Sequence, residues 1–148
     1  YEQHPAISKG KAVWLVEDEL FFTQYRFHRR KLAFHRASMR TYEENLRSAG
    51  YETNYIFHSD ECARTQQLFE KIKASGFTHI HIVDTTDYLL ERRINRYAKK
   101  YGLELVRYPN PNFLCETDAL KAYFEKKKKF FLTDFYIIFH DVKFIIAV

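Results

Sequence analysis

Cysteine is nearly absent: Cys62 and Cys115 are the only two in 148 residues. Two thiols so far apart build no disulfide scaffold, and they fall short of the ligands that a structural zinc site or an iron–sulfur cluster requires. Neither belongs to a CxxC pair or has a histidine beside it, so nucleophilic cysteine catalysis has no support, and a reducing cytoplasm is the expected compartment. Glycine is scarce as well, with four residues and no cluster. No Gly-rich loop is therefore available to cradle a nucleotide phosphate. No run approaches the roughly 20 apolar residues of a membrane span, and Tyr1-Glu-Gln-His-Pro5 lacks the charged-then-apolar layout of a signal peptide. The first residue is not methionine, from which a piece of a longer protein is expected.

What is present points to a folded chain. The hydrophobic content of 46% suits one domain with a proper core. The net charge of +5 permits contact with a polyanion without demanding it.

The pattern alternates strands with helices. Ala12-Val-Trp-Leu-Val16 is a continuous apolar run, as expected of a strand covered on both faces, and it ends in Glu17-Asp18. From Arg26 to Ala49, Leu32, Met39, Tyr42, Leu46 and Ala49 recur at helical spacing, and Gly50 follows as a left-handed cap. Glu52 to Phe57 reads as a strand, Ser59-Asp60 as a helix entry, and Cys62 to Ala74 as a helix with Leu68, Phe69 and Ile72 inward. His79 to Asp84 is a third strand, Thr85-Thr-Asp87 caps a helix running to Lys100, Gly102 ends it, and Glu104 to Tyr108 is a fourth strand. Pro109-Asn-Pro111 is a turn, and Thr117 opens a helix through Lys126. The expected fold is α/β, a three-layer parallel sheet with helices on both faces.

The end of the chain departs from this alternation. Tyr136-Ile-Ile-Phe139 and Lys143-Phe-Ile-Ile-Ala-Val148 both read as strands with no helix after them. One of them fills the central slot of the sheet or forms an added edge strand. A sheet without its central strand exposes an apolar seam that the tail or a partner chain must cover, and a tail donated by a partner makes a strand-swapped dimer.

In an open parallel sheet, ligands collect at the carboxyl ends of the strands. Those ends are Glu17-Asp18, His58-Ser59-Asp60 and Asp84-Thr85-Thr-Asp87. Carboxylates there accept hydrogen bonds from ring N–H groups or ribityl hydroxyls and repel phosphate, so a flavin-like or lumazine-like ring suits them better than a dinucleotide. Capping of the following helices is the alternative for Asp84 and Asp87. His28, Arg29, Arg30, Lys31, Arg36 and Arg40 make a basic helix that faces a phosphate backbone, a carboxylate, another domain or simply solvent; the lysine run Lys126 to Lys129 reads the same way. His79 and His81 share a strand face, but no third ligand accompanies them, so no metal is expected.

Val16-Glu17, His28-Arg-Arg-Lys-Leu-Ala-Phe34, Ser38-Met-Arg40, Leu46-Arg-Ser-Ala-Gly-Tyr51, Phe113-Leu114 and Phe135-Tyr136 occur in an order and spacing that resemble the amino-terminal domain of bacterial photolyase-related proteins. These form the prokaryotic, iron–sulfur branch of the cryptochrome/photolyase family. The resemblance implies a chromophore-binding antenna domain of Rossmann-like or flavodoxin-like topology at residues 1–136, able to hold a ribityl-lumazine or flavin and itself not catalytic. It further implies a C-terminal catalytic domain, absent here, that carries FAD, the iron–sulfur cluster and the DNA lesion pocket for light-driven repair or photosensing. The same comparison places Phe21 and Gln24 where the family's chromophore contacts lie, an aromatic and an amide where an acid and a tyrosine are usual. The candidate chromophore site is therefore Glu17, Asp18, Phe21, Gln24, Asp84 and Thr85. The family's first strand would precede Tyr1, and residues 137–148 form an atypical strand-forming tail whose Ile137-Ile-Phe-His-Asp141 looks like that strand. A structural domain with an empty pocket and an unrelated small-molecule-binding α/β protein are the alternative readings.

Overall fold

The computed structural model describes residues 6–113, 117–125 and 127–139. The chain divides after Tyr108 into two compact units. The first contains β1 (Val13–Val16), a five-residue π-helix (Leu20–Gln24), α1 (Arg29–Ser48), β2 (Thr53–Ile56), a 3₁₀ turn (Glu61–Ala63), α2 (Thr65–Ala74), β3 (His79–Val83), α3 (Tyr88–Tyr101) and β4 (Glu104–Tyr108). The second contains α4 (Thr117–Glu125) and α5 (Leu132–Phe139).

The α/β class holds, with parallel strands flanked by helices. Pairing runs β1 with β2 and β3 with β4, both parallel, in registers that set Val13 beside Thr53 and His79 beside Glu104. Among the described residues the four strands make two two-stranded ladders in place of one continuous sheet.

Helix ends follow local chemistry. Asp87 caps α3 by accepting the Leu90 N–H at 2.9 Å, satisfying one of the four donors that a helix start leaves open. Gly102 ends the same helix at φ +60°, a conformation that costs glycine nothing, and the chain turns there so that Leu103 N–H reaches the Ala98 carbonyl at 2.9 Å. Helix α1 begins at Arg29, later than its periodicity predicts, because His28 serves as its cap, its ring accepting the Arg30 N–H at 3.2 Å. Cys62 lies in the 3₁₀ turn, and α2 starts at Thr65.

The main core sits between α2, α3 and the β3–β4 pair. Phe69, Ile72, Ile94, Ala98 and Leu103 are buried there, with Ile80, Ile82 and Leu105 packed against them. Across the unit, Leu46 and Ile56 are buried on α1 and β2. In the second unit, Phe124 and Phe135 stack at 5.9 Å and join α4 to α5, with Lys127 Nζ 3.5 Å from Asp134.

One expectation is overturned at the chain's end. Tyr136–Phe139, read as a strand, belongs to helix α5, because a short apolar run lacks the periodicity that separates strand from helix. Residues 140–148, including the strand-like run Lys143–Val148, and Cys115 lie outside the described residues, as does Lys126 of the lysine run.

Candidate functional site

The carboxyl ends of β1 and β2 meet at a charge cluster built on Glu17. The parallel register continues past Val16 and Ile56, and Glu17 N–H donates to the Ile56 carbonyl at 3.0 Å. That places the Glu17 side chain, 0% exposed, against the loop after β2. Arg36 of α1 clamps it in a fork, Nε to Oε1 at 2.6 Å and Nη2 to Oε2 at 2.7 Å. The Tyr55 hydroxyl donates to Oε1 at 2.8 Å and the His58 N–H to Oε2 at 3.1 Å. His58 Nδ1 lies 3.0 Å from Oε2 and 2.8 Å from Arg36 Nη2.

Burial pushes the Glu17 carboxyl up, but the donors from Arg36, the His58 backbone, Tyr55 and the His58 ring outweigh it and hold it at about 2. Burial and the neighbouring Glu17 carboxylate raise the Tyr55 hydroxyl. Glu17 is thus a fixed anion whose oxygens are already engaged, and it positions Arg36 and His58.

Asp18 is structural in the same sense. One of its oxygens accepts the Leu20 N–H at 2.8 Å and the other the Thr65 hydroxyl at 3.1 Å, tying the π-helix to α2. Burial raises its carboxyl against those two donors. The π-helix that follows carries aromatics toward α1 and His58. Phe22 stacks on His58 with ring centroids 5.7 Å apart, lies 5.6 Å from His35 and has the Arg36 guanidinium over its face at 5.5 Å. Phe21 lies 6.4 Å from His35 and 6.3 Å from Phe27. These rings form one wall. Beside it, with His58 common to both, a polar cleft of about 280 Å³ is lined by Glu19, Thr23, Ser59, Asp60, Glu61 and Arg64.

Gln24, exposed, accepts a hydrogen bond from Arg93 of α3, whose guanidinium also reaches Glu19 at 3.3 Å. Asp84 and Thr85 belong to a separate network after β3. There, Arg107 lies 3.9 Å from Asp84 and 2.8 Å from Glu91, while the Thr85 hydroxyl donates to Glu91 at 3.0 Å. Six expected residues therefore resolve into two groups, Glu17, Asp18, Phe21 and Gln24 around the π-helix, and Asp84 with Thr85 elsewhere.

Sequence reasoning missed Phe22, Tyr55 and Arg93 as parts of this arrangement, and it placed His58 at a strand end without counting it in the candidate site. Part of the signal was available, because parallel pairing of the two strands sets Tyr55 beside Leu15, two residues before Glu17. Arg36 and Arg40 also fall on the inward stripe of α1, where Arg40 and Arg47 each bond the buried Glu43 at 2.6 Å. The other cations of the basic helix, Arg29, Arg30 and Lys31, are exposed. Among the described residues no group of three or more potential metal ligands gathers, and no helix is long and apolar enough to cross a membrane. His79 pairs with Glu104 at 3.2 Å and His81 with Tyr108 at 2.8 Å.

The fold and the site define an α/β protein with parallel strands, a polar cleft and an aromatic wall at the β1–β2 end. The profile of the deoxyribodipyrimidine photo-lyase-related protein family matches residues 1–139, and the chain belongs to that family. It is also 34% identical over 134 residues to "Uncharacterized protein R852" of Acanthamoeba polyphaga mimivirus, a match covering 84% of this chain and 67% of the viral protein.

Proposed function

We propose that this chain is the amino-terminal chromophore-binding antenna domain of a photolyase-related protein of the cryptochrome/photolyase family. Its ligand is a ribityl-lumazine or flavin held at the β1–β2 end. The observation that carries the reading is the aromatic wall, anchored by the buried Glu17–Arg36 pair and sharing His58 with a polar cleft. Phe21 and Phe22 offer ring faces for stacking, as a planar heterocycle needs. Thr23, Ser59, Asp60 and Glu61 supply acceptors for a polyhydroxylated chain, and Glu17 and Asp18 act indirectly by holding Arg36, His58 and the π-helix in place. The chromophore absorbs light and passes its excitation onward. What this domain contributes is a rigid pocket with fixed orientation. In the full-length protein the receiving group is FAD in a C-terminal catalytic domain with an iron–sulfur cluster, and that domain contacts DNA for repair or serves photosensing.

A second reading, a structural domain with no chromophore, is favoured by one observation: the oxygens of Glu17 and Asp18 are already taken by the protein itself.

An absorbance and fluorescence titration with a ribityl-lumazine and with FMN separates the two. Saturable binding is expected, weakened about tenfold in Phe22→Ala as one stacked ring is lost. Failure of both compounds to saturate, in protein that melts cooperatively, would sink the antenna role and leave the structural reading.

A further inference from the structure

β1 and β3 are held side by side without pairing to each other. Helix α2 begins at Thr65, whose hydroxyl bonds Asp18 just past the end of β1, and further on its Lys71 Nζ lies over the Trp14 ring at 5.6 Å. Its far end leads into the start of β3. Both strands therefore run against α2 and point the same way. Lys11 Nζ reaches His81 Nδ1 at 3.3 Å on one side, and past the strand ends Arg93 of α3 reaches Glu19 at 3.3 Å. Three links thus fix the space between the strands.

That space is an apolar cleft of about 710 Å³, lined by all of β1 and all of β3 with Phe69 and Ile72 of α2 and Ile94 of α3 behind them. Its two long walls are strand edges. Val13 N–H and Glu17 N–H donate to carbonyls at Glu52 and Ile56, at 2.9 and 3.0 Å, so the alternation of a parallel strand turns the backbone groups of Trp14 and Val16 toward the cleft. Asp84 N–H donates to the Tyr108 carbonyl at 2.8 Å, which by the same alternation turns those of His81 and Val83 toward it from the other wall. Among the described residues no strand pairs with either edge.

The occupant must satisfy apolar walls and polar backbone rows together. An alkyl chain would fill the volume and leave the N–H and C=O groups unpaired, at a cost comparable to lost hydrogen bonds. Water would pair them and leave the apolar walls wet. An extended peptide does both. Five residues rising about 3.3 Å each, about 4.8 Å from either neighbour in a layer about 10 Å thick, occupy roughly 800 Å³, close to the size of the cleft. Such a strand is buried on both faces, so its side chains must be apolar throughout. Charge sets its direction, because Lys11 lines the cleft before the start of β1 and Asp18 lines it past the end.

We infer that this cleft binds an extended apolar segment of a separate polypeptide, which enters as a central strand parallel to β1 and β3 with acidic residues just before its apolar run. The order becomes β2, β1, the guest strand, β3, β4, and two ladders become one sheet.

A fluorescence titration of the full chain with the peptide acetyl-Glu-Glu-Val-Ile-Val-Ile-Val-amide reads this at Trp14, the only tryptophan and a residue of the cleft wall. Saturable binding is expected, with emission moved to shorter wavelength and less quenching by acrylamide. The peptide acetyl-Val-Ile-Val-Ile-Val-Glu-Glu-amide, which sets its acids beside Asp18, should bind about tenfold more weakly, and Lys11→Glu should abolish that preference. N-methylation of the first peptide at each valine should weaken it by about tenfold or more, since strand pairing needs those amides. No saturation by either peptide, equal affinities of the two, or unchanged affinity after N-methylation overturns the inference. A response to dodecanoate with none to the peptides overturns it in favour of an alkyl ligand, and a dimer in sedimentation that the first peptide fails to dissociate overturns it in favour of a second copy of this chain.

Discussion

Replacing Glu17 with alanine is expected to cost about 3 kcal/mol, the lower end for breaking a buried ion pair, because the Arg36 head retains access to water. The loss has several parts. The substitution removes the acceptor of Arg36, Tyr55 and the His58 backbone together, leaving polar groups without partners at the end of two strands. For a chain of this size the melting temperature should fall by roughly 10 °C, measured by circular dichroism. A fall of a degree or less would show that the cluster does not hold the strand ends.

The same carboxylate sets a pH dependence. The Glu17 carboxyl ordinarily titrates at 4.5 and in the fold is held at about 2. A depressed folded value means that its stabilisation is complete above about 4.5 and is lost as the pH falls from there through about 2. The unmodified chain should therefore lose stability across that window, and Glu17→Gln should flatten the profile there. Parallel profiles for the two proteins would contradict the linkage.

Phe69→Ala should destabilise the first unit by about 4 kcal/mol. Phe69 is 3% exposed among Ile72, Ile94, Ala98 and Leu103, and it also borders the apolar cleft. The ring leaves a space that few of these packed neighbours can close. With a urea dependence of about 2 kcal/mol per molar, the midpoint should drop by roughly 2 M. Phe130→Ala, at a ring 70% exposed, should change stability by about 0.5 kcal/mol or less. A loss below about 1 kcal/mol at Phe69 would mean that this core is not the one sustaining the unit.

The elements whose signals are local were legible in the sequence. Asp87 and Gly102 mark both ends of α3, and both act as read, one through its side chain and one through its backbone. β1 appears as an apolar run of nearly the right length, and β3 lies within the stretch His79 to Asp84 read as a strand. The π-helix escaped notice because Leu20–Gln24 is too short for any periodicity, and its start is imposed by Asp18, whose carboxylate and carbonyl both take N–H groups from it. Acids at strand ends were expected to face a ligand, and for Glu17 and Asp18 the protein's own donors come first. Arg36 could not be assigned to Glu17 from spacing, since their meeting depends on how α1 lies against β2. Tyr136–Phe139 reads equally well as strand or helix, and α5 resolves it by forming a compact aromatic contact with α4.

Each of the two ladders closes within an unbroken stretch of chain, β1–α1–β2 over residues 13–56 and β3–α3–β4 over residues 79–108. The shorter stretch holds two well-formed helix ends and much of the main core, and its loop closure carries the smaller entropic cost. Assembly then has a natural order in which β3–α3–β4 forms a nucleus and α2 docks on it before the Glu17 cluster locks. Under that order Ile94→Val slows refolding, whereas losses at the Glu17 cluster appear mainly as faster unfolding, a contrast that stopped-flow kinetics reads directly. A protein arranged in this way can acquire its stable half while the chain beyond Tyr108 is still being made.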